Sequence, residues 1–433
     1  MKKFIHLLGL AILSLSMTIS LTSCDPDDPW GENPNSGQTP GGGDIPGGGG
    51  GTDPTQFSGN IDANTTWPDL GLPVDYVVSG RMYIKGNALL TIEPGVTIMF
   101  DSNDGGLTVE ENAGISMVGT PDKPIVFTGP TNNPNNGSWN NILINSVRND
   151  NRLEYVQFIR GGSQDGQWRA PVEIRGKVHM NNCLVDGSLS NGITTEYSGC
   201  FYSFDNNTIK NCAEYAWRTE NNASLYEGVG NNNIFIANGK NMIFVDPSYY
   251  TLEDHVTLKR MSIPYYFPNG YDIREAYKYT IEPGTTMLFG SHTGFSIAEE
   301  TTFIADGTID APITIRGLED EAGYWNGIIY YSNKQASIMN YVNISGGGYG
   351  EDWAESNNLY IYEGSDRRLT ITNCVISKSQ YYGIQVGSPE TMQNITHNNV
   401  IFLDCQAGNV RFYYGGEYNG VTYEAGQILP QLP

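Results

Sequence analysis

Acidic side chains stand in close groups along this chain: Asp101 with Asp104, Glu110-Glu111, Glu299-Glu300, Glu319-Asp320-Glu321 and Glu351-Asp352. Two carboxylates can cleave a glycosidic bond when they stand roughly 5–9.5 Å apart, one giving up a proton and the other acting as base or nucleophile. Glu110-Glu111 and Glu299-Glu300 occupy matching places in the two halves of the chain. Adjacent residues of a strand point to opposite faces, so neither doublet is a ready pair. The other groups fall in loop-like sequence, where solvated acids are the ordinary case. The histidines at 6, 179, 255, 292 and 397 have no His or Cys partner at metal spacing. His179 and His397 fall in strand-like sequence and read as structural. No nucleophile elbow, phosphate loop or dinucleotide fingerprint occurs in a strand–helix context that could use it. The sequence thus names no catalytic residue and no metal site.

Aromatic side chains carry the stronger signal. The chain has 27 tyrosines, with doublets at 249–250, 265–266, 330–331, 381–382 and 413–414. In a strand, one ring of a doublet faces the core and the other faces out. A row of outward rings is an uncharged platform for sugar rings, although tyrosine also suits half-buried strand positions. Trp168 and Trp353 match across the two halves beside glycine-rich loops. With Tyr331 and Tyr382 they are the ligand-contact candidates. Trp139 and Trp325 open apolar strands and read as core anchors.

The elements that must position these residues follow from repetition. Thr-Ile-Glu-Pro-Gly occurs at 91–95 and again at 280–284, and the surroundings match at an offset drifting only from 189 to 186 residues. Within each copy, Asn182, Asn207 and Asn232, and again Asn373 and Asn398, are spaced by 25 residues. A unit of that length holds short alternating strands but cannot bury its own apolar face. Stacked units bury one continuous core, with strands about 4.8 Å apart. Asparagine suits such turns because it tolerates left-handed backbone, and its side chains can hydrogen-bond along a stack. Each Pro-Gly reads as a corner between strands, because proline fixes φ and glycine permits the bend. Glu93 and Glu282, which recur beside it, then read as structural. The prediction is an all-β fold, a parallel β-helix solenoid in two tandem halves of about 190 residues.

On these residues the chain resembles the right-handed parallel β-helix proteins of the pectate-lyase-like superfold. It is similar to surface lipoproteins of Bacteroidetes that carry the phrase Leu90-Thr91-Ile92-Glu93-Pro94-Gly95; Tyr279 replaces the leucine in the second copy. The resemblance covers roughly residues 60–433. It implies a fold that hosts lyases, hydrolases, adhesins and non-catalytic proteins. A lyase of this kind would need calcium-binding carboxylates and an Arg or Lys base on one face. Arg218-Thr219-Glu220 and Arg316-Gly317-Leu318-Glu319 offer that grouping, or plainer surface ion pairs. The Asn-Thr-Asp, Asp-Asp and Gly-His-Gly phrases of polygalacturonase-like enzymes do not occur in the coil.

The first 23 residues read as a signal peptide, with Lys2 and Lys3 ahead of an apolar run. Leu21-Thr22-Ser23-Cys24 reads as a lipoprotein box with Cys24 as the site of lipid attachment. Asp25, Asp27 and Asp28 resemble an acidic export signal to the outer face of the outer membrane. Residues 24–58 are rich in Gly and Pro and read as a flexible tether. The two halves are assigned to 59–250 and 251–433, with a boundary at the irregular stretch near 250. The remaining cysteines number five, and an odd count argues for small buried apolar residues rather than a disulfide framework. A net charge of −23 argues against nucleic acid and anionic membranes, and against anionic polysaccharide unless a cation such as calcium bridges the two. The expectation is a non-catalytic, outer-surface lipoprotein that binds extracellular glycan or another surface ligand and needs no cofactor. A polysaccharide lyase or hydrolase and an adhesin with a protein partner are the alternatives.

Overall fold

The computed structural model describes residues 53–433, apart from 134, 164–168, 222–224, 226–227, 250–254, 275–277 and 351–356. Cys24, most of the tether, Trp168, Trp353 and the pair Glu351-Asp352 lie outside the described residues.

Short strands with alternate residues buried wind into a right-handed parallel β-helix. Thr97–Phe100 shows the local cause: Ile98 and Phe100 point inward and are fully buried, while Thr97 and Met99 point out. Strands of successive coils pair in parallel, so inward residues stack into ladders. One ladder runs Ile98, Phe127, Phe158, Val185, Ile209 and Phe235 through consecutive coils. Phe127 and Phe158 stack with ring centroids 5.7 Å apart. Each such side chain contributes about 1.5–3 kcal/mol of burial. The Pro-Gly corners are as expected, with Gly95 at φ +95° and Gly284 at φ +82°.

The recurring asparagines divide into two jobs. Asn182, Asn206, Asn373 and Asn399 take left-handed backbone at turns. Asn207 and Asn233 are buried and stack: Asn207 Nδ2 donates to Asn233 Oδ1 at 3.0 Å, while Asn207 Oδ1 accepts from the Cys183 amide at 3.0 Å. None of these five cysteines is in a disulfide; Cys183, Cys200, Cys212 and Cys374 are buried and Cys405 is half-buried.

Trp139 and Trp325 are fully buried core anchors, and the two copies build them alike. Trp139 stacks on Phe100 at 5.2 Å and Trp325 on Phe289 at 4.8 Å. Each indole N–H donates to a backbone carbonyl at 2.8 Å, of Ile159 in the first copy and Ser345 in the second.

The copies join in an unexpected way. In the first, Thr97–Phe100 belongs to an eight-stranded sheet, Gly106–Val109 to a fourteen-stranded sheet and Gly114–Val118 to a six-stranded sheet. In the second, the strand after the repeated phrase, Thr286–Phe289, lies in the fourteen-stranded sheet, and Gly294–Ile297 begins the coil's contribution to a seven-stranded one. The handover is at Lys240–Tyr249, which pairs with Tyr215–Asn221 on one side and Tyr265–Phe267 on the other. One sheet therefore runs across the boundary near residue 250, and Gly48–Pro433 is one compact unit. The second copy is stepped round the solenoid by one face, so residues that match in sequence do not share a face.

Candidate functional site

The fourteen-stranded sheet presents an outward row in the first copy. Tyr83, Thr108, Leu143, Glu173, Thr194 and Arg218 lie side by side on successive strands. The next outward position along each strand carries Asn145, Arg175, Glu196 and Glu220. Alternation alone puts them there: Val172 and Ile174 point into the core, which sends Glu173 and Arg175 out.

Two adjoining hollows open on this face and share Arg175. The smaller, about 460 Å³, is lined by Arg81, Tyr83, Thr108, Asn141, Arg169 and Arg175, among others. The larger, about 930 Å³, takes in Glu110, Glu111, Asn145 and Tyr197. Arg81 is held in place by two hydrogen bonds, Nη2 to Asn141 Oδ1 at 2.6 Å and Nη1 to Thr108 Oγ1 at 3.0 Å. Burial pulls its pKa below the ordinary arginine value, with Glu173 opposing.

Glu173 is 1% exposed, and neither carboxylate oxygen accepts a hydrogen bond. Its nearest cation is Arg169, whose Nη1 stands 3.8 Å from Oε1. Burial pushes the Glu173 pKa up; the Asn141 side chain, Arg169, Arg175 and the Ala170 backbone counter this in part. Glu196 is 4% exposed, and its Oε2 accepts from Arg175 Nε at 3.0 Å and Nη2 at 2.9 Å, while Oε1 is buried without a partner. Burial raises Glu196 to about 7; Arg175 lowers it, and Glu173 and Glu220 add to the rise. Tyr197 completes the wall, its ring 5.3 Å from the Arg175 guanidinium and its amide donating to Glu220 Oε1 at 2.7 Å.

The smaller hollow of this trough thus gathers three guanidinium groups beside Glu173 and Glu196, two carboxyls that burial holds toward the neutral acid, while Glu110 and Glu111 border the larger hollow. A buried, unpaired carboxylate is costly. A site that tolerates one is a candidate for function rather than for stability.

Residues 59–165 match the family model of the pectate-lyase-like β-helix domain. The match supports the parallel β-helix fold. It takes in Arg81, Thr108 and Asn141 and stops before Arg169, Glu173, Arg175 and Glu196. No curated protein and no solved structure matches the chain.

The residues singled out from sequence are scattered. Tyr331 and Tyr382 are half-buried on the seven-stranded face of the second copy. Tyr331 packs on Tyr362 at 4.7 Å, and Tyr382 lies under the Arg411 guanidinium at 5.0 Å. They stand at opposite ends of strands separated by Asn357–Ile361, so they form no single pocket. The acidic groups are mostly paired with cations: Glu299 with Arg367 at 2.8 Å, Glu300 with Lys334, and Asp320 with Lys378. Glu282 is held below the carboxylate range: burial would raise it, but the Arg260 amide, Lys259 and Asn231 outweigh burial. Among the described residues of these acidic groups, Glu110 and Glu111 border the trough. Arg218 is 6% exposed, with its guanidinium 4.0 Å over the Phe244 ring. Arg316 donates to the carbonyls of Gly317 and Leu318 at 2.7 and 2.8 Å. Among the described residues no three His, Cys, Asp or Glu side chains are placed to hold a metal ion, so no role here is routed through calcium.

Arg81, Arg169, Glu173, Arg175 and Glu196 were missed from sequence. Glu173 and Arg175 are the polar half of an ordinary alternation with Val172 and Ile174, and the exceptional feature, the burial of the outward Glu173, is visible only in the structure.

Proposed function

We propose that this chain is an extracellular glycan-binding lipoprotein. In this reading Cys24 carries the lipid, the Gly/Pro-rich segment holds the β-helix away from the outer membrane, and the trough of the first copy takes up a sugar chain. The observation that carries it is the convergence of Arg81, Arg169 and Arg175 with Asn141 and Tyr83 on one outward face. Guanidinium forks bind carboxylate or sulfate oxygens bidentately, amides bond to hydroxyls, and a ring edge packs on the sugar. The ligand chemistry that fits is therefore a polysaccharide bearing anionic groups. The test is retention on immobilised uronate-containing, sulfated and neutral polysaccharides. Retention on an anionic member, weakened by Arg169→Ala and Arg175→Ala, supports the reading; no retention on any anionic polysaccharide rejects it.

One observation favours a second, enzymatic reading. Glu196 titrates near neutral pH beside Arg175, which suits a proton donor or acceptor in glycan cleavage. Release of fragments from a retained polysaccharide, abolished by Glu196→Gln, would establish it.

A further inference from the structure

The arginines of the trough already have carboxylate companions, and these companions are poorly served. Glu173 faces Arg169 and Arg175 from the same strand segment, with Arg81 and Asn141 across the neighbouring rung, yet accepts no hydrogen bond. Glu196 faces Arg175 and Glu173 on one side, and Arg218 and Glu220 on the other, and satisfies one of its two oxygens. Both side chains are more than nine-tenths buried. A carboxylate or sulfate entering from the hollow would compete for Arg169 and Arg175 and would stand against Glu173 and Glu196 as a like charge.

We propose that the bound anion takes over Arg169 and Arg175 and that Glu173 and Glu196 take up protons as it does, so that ligand capture is coupled to proton uptake. This rests on the anionic-glycan reading above and adds its regulation. The direction follows from linkage. An added negative charge favours the protonated form of each glutamic acid, so affinity rises as pH falls. With Glu196 near 7, the coupling acts across the neutral range. Each coupled proton changes affinity by up to about tenfold per pH unit. The guanidinium forks of Arg81, Arg169 and Arg175 set the baseline affinity for the anion.

The experiment is titration calorimetry of the whole chain with an oligouronate and, separately, a sulfated oligosaccharide. It is run at pH 6, 7 and 8, in two buffers of different ionisation enthalpy. Uptake of about half a proton per ligand at pH 7, more at pH 8, is expected from Glu196 alone. The dissociation constant should weaken several-fold from pH 6 to pH 8. Glu196→Gln, which mimics the protonated acid and keeps an acceptor for Arg175, should bind more tightly at pH 8 and flatten the pH profile; Glu173→Gln gives an independent second reading. Binding with no proton uptake, at unchanged affinity from pH 6 to 8, overturns the coupling and leaves the glycan reading intact. Binding to neither ligand at any pH overturns both. The two ligand arms separate a carboxylate-bearing from a sulfate-bearing glycan.

Discussion

The two copies fill the same strand positions with opposite chemistry. The outward row that reads Leu143, Glu173, Thr194, Arg218 in the first copy reads Ile329, Tyr360, Gln385, Arg411 in the second. At the next outward position along each strand, Asn145, Arg175, Glu196 and Glu220 of the first copy correspond to Tyr331, Tyr362, Gly387 and Tyr413 of the second. The slot held by Glu173 at 1% exposure is held by Tyr360 at 4%. An arginine recurs in the last place and lies over a ring in both, Phe244 under Arg218 and Tyr382 under Arg411. The scaffold therefore fixes where an outward side chain is buried, and the sequence chooses between a charge network and an aromatic cluster. The one-face step at Lys240–Tyr249 turns these two decorated faces away from each other, so a single straight chain cannot run along both.

The largest effect should come from what the copies share. Trp139→Ala and Trp325→Ala each leave a large void against Phe100 or Phe289 and orphan a carbonyl, so each should cost about 3–5 kcal/mol in chemical denaturation. In a stacked solenoid each coil mainly supports its neighbours. Hydrogen exchange should therefore show protection lost around the altered copy before the other. Equal loss in both copies would mean the fourteen-stranded sheet couples them into one cooperative block.

The next effect separates the copies. Glu196 has its pKa raised from its unfolded value of about 4.5 to about 7 by burial. A raised acid costs stability as pH climbs through the unfolded value, and the cost is complete above the folded one. The chain should lose up to about 3 kcal/mol from this group between pH 4 and pH 8. Glu196→Gln should recover much of that at pH 8 and nothing at pH 4. Gly387 holds the matching place in the second copy and has nothing to titrate, so exchange protection there should not follow this pH profile. A pH-independent stability difference between Glu196→Gln and the parent would remove the charge from the explanation.

Much of the scaffold was legible in the sequence because repetition is a one-dimensional signal. The Asn period, the Pro-Gly corners and the buried Trp139 and Trp325 all follow from local rules repeated. The step between copies was not legible, because it is set by which strand Tyr265–Phe267 pairs with, and nothing in those three residues states the partner. The trough was hidden for a similar reason. Arg81, Arg169 and Arg175 are far apart or unremarkable in sequence, and the stacking of coils brings them together. Acid doublets such as Glu299-Glu300 were conspicuous but met lysine and arginine partners of their own. Net charge is a sum over the whole chain, whereas a ligand meets a few groups within about a Debye length.

Binding should then discriminate the faces. Arg169→Ala removes a charged donor from the trough, a loss of about 1.5–3 kcal/mol or roughly 10- to 100-fold in affinity for an anionic glycan. Tyr362→Ala, on the other face, should leave that affinity unchanged. Equal losses from both variants would require one ligand to reach both faces, against the step between the copies.

The smallest expected effect concerns the aromatic cluster itself. Tyr362 touches Tyr331 at 4.7 Å and Tyr360 at 5.7 Å, both tilted or edge-on geometries that favour ring pairs. Burial and neighbouring Tyr362, Glu363, Tyr414 and Tyr331 push the Tyr360 phenol well above the tyrosine range, so it stays neutral and donates wherever it bonds. Tyr362→Ala alone should cost about 0.5–1.5 kcal/mol beyond its lost area, and Tyr331→Ala a similar amount. The double variant should cost less than the sum, because each ring is the other's partner. Strict additivity in a double-mutant cycle by denaturation would show that the rings merely coexist. The second copy would then hold its tyrosines as separate half-buried residues, and the contrast with the coupled charges of the first copy would be sharper still.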